Sequence, residues 1–246
     1  AATPISADSR TGAPTILNSL VPVAAALVAA LFCALLLRSA WRRPAGQKLL
    51  WATGFALFAV AAASEALAQR AGWSSALFRT YYLCGGVLTV AFLGAGSAWL
   101  HLPRRGRDVV AGALLVATVA AALAVAVAPL HADALAATGT GRPPPNAAIG
   151  GGAAGWAMAL NSLGTLLLIG GVLRSLVKRQ RVRSSLWIGA GALVLALSTS
   201  MSRTGDYSLM YVGELIGIAA MFYGFVLPSL APDTPTIRAG RSALAH

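Results

Sequence analysis

Long uncharged apolar stretches alternate with short polar breaks along the chain. Seven stand out, at roughly 15–37, 48–69, 74–100, 109–130, 153–174, 184–203 and 207–228. Each has about the twenty residues an α-helix needs to cross the hydrocarbon core of a bilayer. The pattern predicts an all-α, polytopic membrane bundle of seven helices, forming a single domain over residues 1–230 with a short polar tail at 231–246. The opening residues Ala1 to Arg10 are polar and do not read as a signal peptide. The first apolar stretch is longer than a signal's hydrophobic region and reads as a true span.

Composition agrees. Hydrophobic residues make up 57% of the 246 and charged residues 11%, against roughly 25% charged in a soluble domain. The net charge of +12 would suggest nucleic acid as a partner for a soluble chain. Its distribution favours topology instead. Arg38, Arg42, Arg43 and Lys48 follow the first span, and Arg104, Arg105 and Arg107 follow the third. Arg174, Lys178, Arg179, Arg181 and Arg183 follow the fifth, with Arg238 and Arg241 in the tail. Fourteen of the nineteen basic residues thus fall on one side, and Arg10, Arg70, Arg79, Arg142 and Arg203 on or near the other. The positive-inside rule makes the first side cytoplasmic, with the N-terminus outside and the C-terminus inside, in a bacterial inner membrane. The expected partner is the lipid bilayer and not nucleic acid. Trp41, Trp51, Trp99 and Trp187 fall at the expected cytoplasmic ends and Trp73 and Trp156 at the outer ends, where amphipathic rings favour the headgroup level.

The longest break, His131 to Gly152, holds the run Arg142-Pro143-Pro144-Pro145-Asn146 and lacks apolar periodicity. It reads as a flexible outer connector, with a lid over an outward cavity as the alternative. Glycines supply close helix packing: Gly85, Gly86, Gly94 and Gly96 in the third span, Gly170 and Gly171 in the fifth, Gly189 and Gly191 in the sixth, and Gly213 and Gly217 in the seventh.

The acids are the informative residues. The only two glutamates, Glu65 and Glu214, both lie within spans, where a charge costs about 2.5–3.5 kcal/mol and normally faces the bundle interior with a partner. Counting rise along each helix puts them in the outer half. Arg79 and Tyr82 lie near the outer end of the third span, Asn161 two turns down the fifth, and Asn18 near the top of the first. Arg203 ends the sixth span and Asp206 opens the seventh. Tyr207, Tyr211 and Glu214, spaced i, i+4, i+7, share a helix face. Two readings follow. In one, Glu65 pairs with Arg79, and Glu214 or Asp206 with Arg203, in a closed network that fixes register. In the other, these groups form an outward-facing site for a small molecule or ion, anchored by the glutamates, tuned by Arg79 and Arg203, and walled by Tyr82 and Tyr211.

Other chemistries lack their residues. The three histidines, His101, His131 and His246, do not form a pair across the bilayer for haem, and no zinc motif occurs. The layout is similar to the microbial rhodopsins, yet the only lysines are Lys48 and Lys178, so no lysine in the seventh span can hold retinal. No cofactor is therefore expected. Cys33 and Cys84 lie at different depths and read as small core residues and not a disulfide. The segment Gly72-Trp73-Ser74-Ser75-Ala76-Leu77-Phe78-Arg79-Thr80-Tyr81-Tyr82-Leu83 resembles uncharacterised seven-span proteins of high-GC bacteria. That resemblance covers the second and third spans and implies no activity. The sequence thus favours a transporter-like or receptor-like binding bundle. The alternatives are a non-catalytic accessory subunit with a partner membrane protein, and an intramembrane carboxylate hydrolase.

Overall fold

A chain in lipid must satisfy its backbone hydrogen bonds within itself, which leaves helices as the economical solution for apolar runs of this length. The computed structural model describes residues 16–137, 143–145, 148–179, 182–201 and 207–230. It is helical throughout apart from one isolated antiparallel bridge, Leu130 to Ile149. The helices are α1 (Ile16–Arg42), α2 (Gly46–Ala71), α3 (Ser75–Tyr81), a π-helical segment (Tyr82–Leu88), α4 (Thr89–Trp99), α5 (Arg104–Val127), α6 (Ala132–Ala137), α7 (Ala153–Val177), α8 (Val182–Met201) and α9 (Tyr207–Leu230). Helices coincide with all seven apolar stretches, α3, the π-segment and α4 forming one continuous rod. Among the described residues, five rods are long and apolar enough to cross a membrane: α1, α2, the α3–α4 rod, α5 and α7. Within α8 and α9 the described apolar stretches are Leu186–Leu195 and Val212–Gly224.

Large apolar side chains cover the outside: Leu27 and Leu31 on α1, Val116 and Leu123 on α5, Leu166 and Leu173 on α7. Water would penalise a continuous belt of this kind, whereas hydrocarbon does not. The protein is a membrane-embedded helical bundle.

The turns are tight and locally determined. Gly72, at φ 79° and ψ 170°, takes a positive-φ conformation open to glycine at the end of α2 and donates its N–H to Ala68 O at 2.8 Å. Two residues later the Ser74 hydroxyl accepts from Leu77 N at 3.2 Å and starts α3. At the other end Lys48 Nζ donates to Ser39 Oγ at 2.9 Å, to Ser39 O at 3.2 Å and to Arg43 O at 3.3 Å, holding α1 to α2. Arg107 Nε likewise donates to Trp99 O at 3.0 Å at the end of α4.

Six rods form a closed ring. α1 packs on α2, α2 on α4, α4 on α7, α7 on α8, α8 on α9, and α9 returns to α1. α5 stands outside the ring against α4, α7 and the π-segment. Two glycine pairs set the ring's closest approaches. A Cβ at Gly94 would stand 2.2 Å from Gly164 O, and one at Gly191 2.5 Å from Gly217 O. Backbone therefore touches backbone at α4–α7 and α8–α9, the contact that small residues allow in lipid.

The break between α5 and α7 differs from the flexible connector expected of it. Among its described residues, Leu135, Ala148 and Ile149 are buried in the cluster formed by α3, the π-segment, α5 and α7. His131 N donates to Ala148 O at 3.0 Å and Gly150 N to Pro129 O at 2.9 Å. Apolar periodicity is too short to register in sequence here, yet three anchoring side chains suffice to seat both ends of the loop.

Candidate functional site

The ring's interior is divided into two levels. At the first, each of the six ring rods contributes an apolar side chain: Phe32 from α1, Phe55 from α2, Leu93 from α4, Leu168 from α7, Ile188 from α8 and Met221 from α9. Phe32 meets Phe55 with ring centroids 4.1 Å apart and Phe222 edge-on at 4.9 Å. The space left among these residues is about 10 Å³, at the lower limit of what holds a single water molecule. This level is a plug. Trp51 seals its rim, its ring against Gly96 and its Nε1 donating to Leu93 O at 3.1 Å.

The second level holds the glutamates. Glu65 lies ten residues beyond Phe55 along α2 and Glu214 seven residues before Met221 along α9, so about 15 Å and 10 Å of helix rise separate them from the plug. Because α2 and α9 run in opposite directions, both acids fall on the same side of the plug, toward the α2–α3 turn. Glu65 is 5% exposed. It and Glu214 lie within electrostatic reach of each other. Two carboxylates from helices far apart in sequence thus stand at one level of the bundle, Glu65 buried and Glu214 half-buried.

The other expected site residues distribute differently. Arg79 was expected beside Glu65. Its Nη1 instead donates to Val125 O and its Nη2 to Ala128 O at 2.8 Å, at the end of α5. The last carbonyls of a helix lack intrahelical partners and carry partial negative charge, which a guanidinium fork matches. Tyr82 is buried in the apolar cluster against Phe78, centroids 6.0 Å apart, with its ring over Gly86. Asn161 Nδ2 donates to Gly86 O, joining α7 to the π-segment. Arg79 and Tyr82 on the α3–π–α4 rod and Asn161 facing it therefore serve that rod's contacts with α5 and α7, while Glu65 and Glu214 stand on α2 and α9. Arg203 and Asp206 lie outside the described residues, as do the side chains of Asn18, Tyr207 and Tyr211.

Sequence reasoning missed the π-segment that faces α2 at this level. Gly85 stands where a Cβ would meet Ala61, one turn below Glu65, at 2.8 Å. Thr89 closes the segment, its Oγ1 donating to Cys84 O at 2.7 Å. Such wide turns shift carbonyls off the α-helical ladder and frequently occur at functional sites. The adjacent glycines Gly85-Gly86, followed by a threonine, were the visible signal. No protein family, no curated protein and no solved structure matches this chain.

Proposed function

We propose that the protein is a seven-span binding bundle that takes a small cation, inorganic or organic, into the polar level of its ring from the face opposite its basic rim. The observation that carries this reading is the placement of Glu65 and Glu214, within electrostatic reach of each other, on one side of an apolar plug. Two carboxylates at membrane depth are costly unless positive charge reaches them. Acidic side chains drawn to one level of a membrane bundle are the chemistry that suits a small cation. The plug gives the site a floor, so access runs from one face only. The basic clusters at the α1–α2, α4–α5 and α7–α8 turns make the plug side cytoplasmic and the site outward-facing.

The test is thermal unfolding of the purified protein in detergent, at constant ionic strength, with sodium, potassium, methylammonium or guanidinium replacing N-methylglucamine. A probe at one hundred times its dissociation constant stabilises the fold by about 2.7 kcal/mol. The shift is expected in the wild type and absent in Glu65→Gln and Glu214→Gln. A closed ion-pair network, as in an accessory subunit, predicts weaker folding in both variants and no response to any probe. That outcome would overturn the proposal.

A further inference from the structure

We propose that the groove between the end of α1 and the start of α2 is a binding site for an anionic phospholipid. This inference is independent of the glutamate level, which lies on the other side of the plug. The groove encloses about 740 Å³, within the range of small-molecule sites. Leu37 and Trp41, one turn apart on α1, form one apolar wall, and Pro44 and Leu49 continue it across the turn. Arg38 and Arg42, also one turn apart, line it in part. The segment 36–51 contains no acidic residue to neutralise them.

The occupant follows from this combination. An apolar trough alone suits any acyl chain, and arginines alone suit any anion. A trough lined in part by two arginines suits a molecule carrying both an acyl chain and a phosphate. Guanidinium forks match phosphate oxygens in paired hydrogen bonds. A zwitterionic headgroup would also bring its own cation against them. Trp41 is 91% exposed, a position that water disfavours and the headgroup level rewards. The groove is built in advance, because Lys48 ties the turn to Ser39 and Arg43. Topology alone needs positive charge at this end but no trough beneath it. The α4–α5 turn is the internal comparison: it carries Arg104 and Arg105 as ordinary exposed basic residues.

Native mass spectrometry of the detergent-solubilised protein, titrated with dioleoylphosphatidylglycerol or dioleoylphosphatidylcholine, tests the proposal. The wild type is expected to retain phosphatidylglycerol over phosphatidylcholine by about thirtyfold, the scale of two basic side chains at an anionic surface. The R38Q/R42Q double variant should lose that preference, and R104Q/R105Q should keep it. Trp41→Ala, which removes only an exposed ring, should lower retention of both lipids with unchanged thermal stability. Inorganic phosphate at millimolar concentration should not displace the lipid. Equal losses in the two double variants would mean diffuse surface charge and would overturn the proposal, as would unchanged retention in R38Q/R42Q. Full displacement by phosphate would mean a site for a free anion and would overturn it too.

Discussion

Replacing Gly164 by alanine adds one carbon where α7 meets α4. That carbon would stand 2.5 Å from Val90 O, 2.7 Å from Val90 C and 2.9 Å from Ala91 N. Ordinary contact begins near 3.4 Å, so the two helices must separate by roughly an ångström. All three obstacles are backbone atoms, which cannot rotate aside as a side chain could. Overpacking of this kind costs about 1–3 kcal/mol. Asn161 lies three residues away on the same face of α7, and its bond to Gly86 O spans the same interface. Such a bond is worth about 0.6 kcal/mol in membrane proteins. Together the loss is about 2–3 kcal/mol, or roughly 30- to 140-fold in the folding equilibrium. Reversible unfolding in mixed micelles, followed by circular dichroism, measures it. The control is Gly170→Ala on the same helix, where the added carbon meets nothing within 4 Å. It should be neutral or up to about 1 kcal/mol more stable, through helix propensity. Equal effects at Gly164 and Gly170 would refute the backbone contact.

Arg79→Met should cost about 2–3 kcal/mol, since two hydrogen bonds from a charged group to helix-end carbonyls are lost. Hydrogen exchange should localise that loss to the last turn of α5; faster exchange confined to α2 would instead point to a partner there. Phe55→Ala should cost about 3 kcal/mol or more by enlarging the cavity at the plug. Vesicles carrying it should leak sodium where wild-type vesicles stay tight, and tight vesicles would show that the plug is not the barrier.

The positions of all the long helices were legible because each apolar run is continuous and its ends are marked by charge, glycine or proline. Glu65 and Glu214 stood out for a similarly simple reason: each is a charged residue inside an apolar run. The ring order was not legible. Which rods touch depends on glycines such as Gly94 and Gly164 meeting across the chain, and hydropathy has no entry for a partner seventy residues away. The role of Arg79 was hidden likewise. A sequence shows a cation 14 residues from an acid, across the α2–α3 turn, but it does not show that the carbonyls of Val125 and Ala128 are its partners. Asn161 was placed at the right depth, and its acceptor was invisible because a backbone carbonyl belongs to every residue alike.

The contact of α9 with α1 joins two helices made far apart in time. A nascent chain therefore enters the membrane with its ring open, and Glu65 is inserted before Glu214 exists. Between Glu65 and the end of α9 at Leu230 lie 165 residues, about 8–33 seconds of synthesis at 5–20 residues per second. Throughout that interval the acid of α2 sits in an unfinished assembly, before α9 closes the ring. Truncations lacking α9 should for this reason be degraded rapidly, even though every preceding helix is complete.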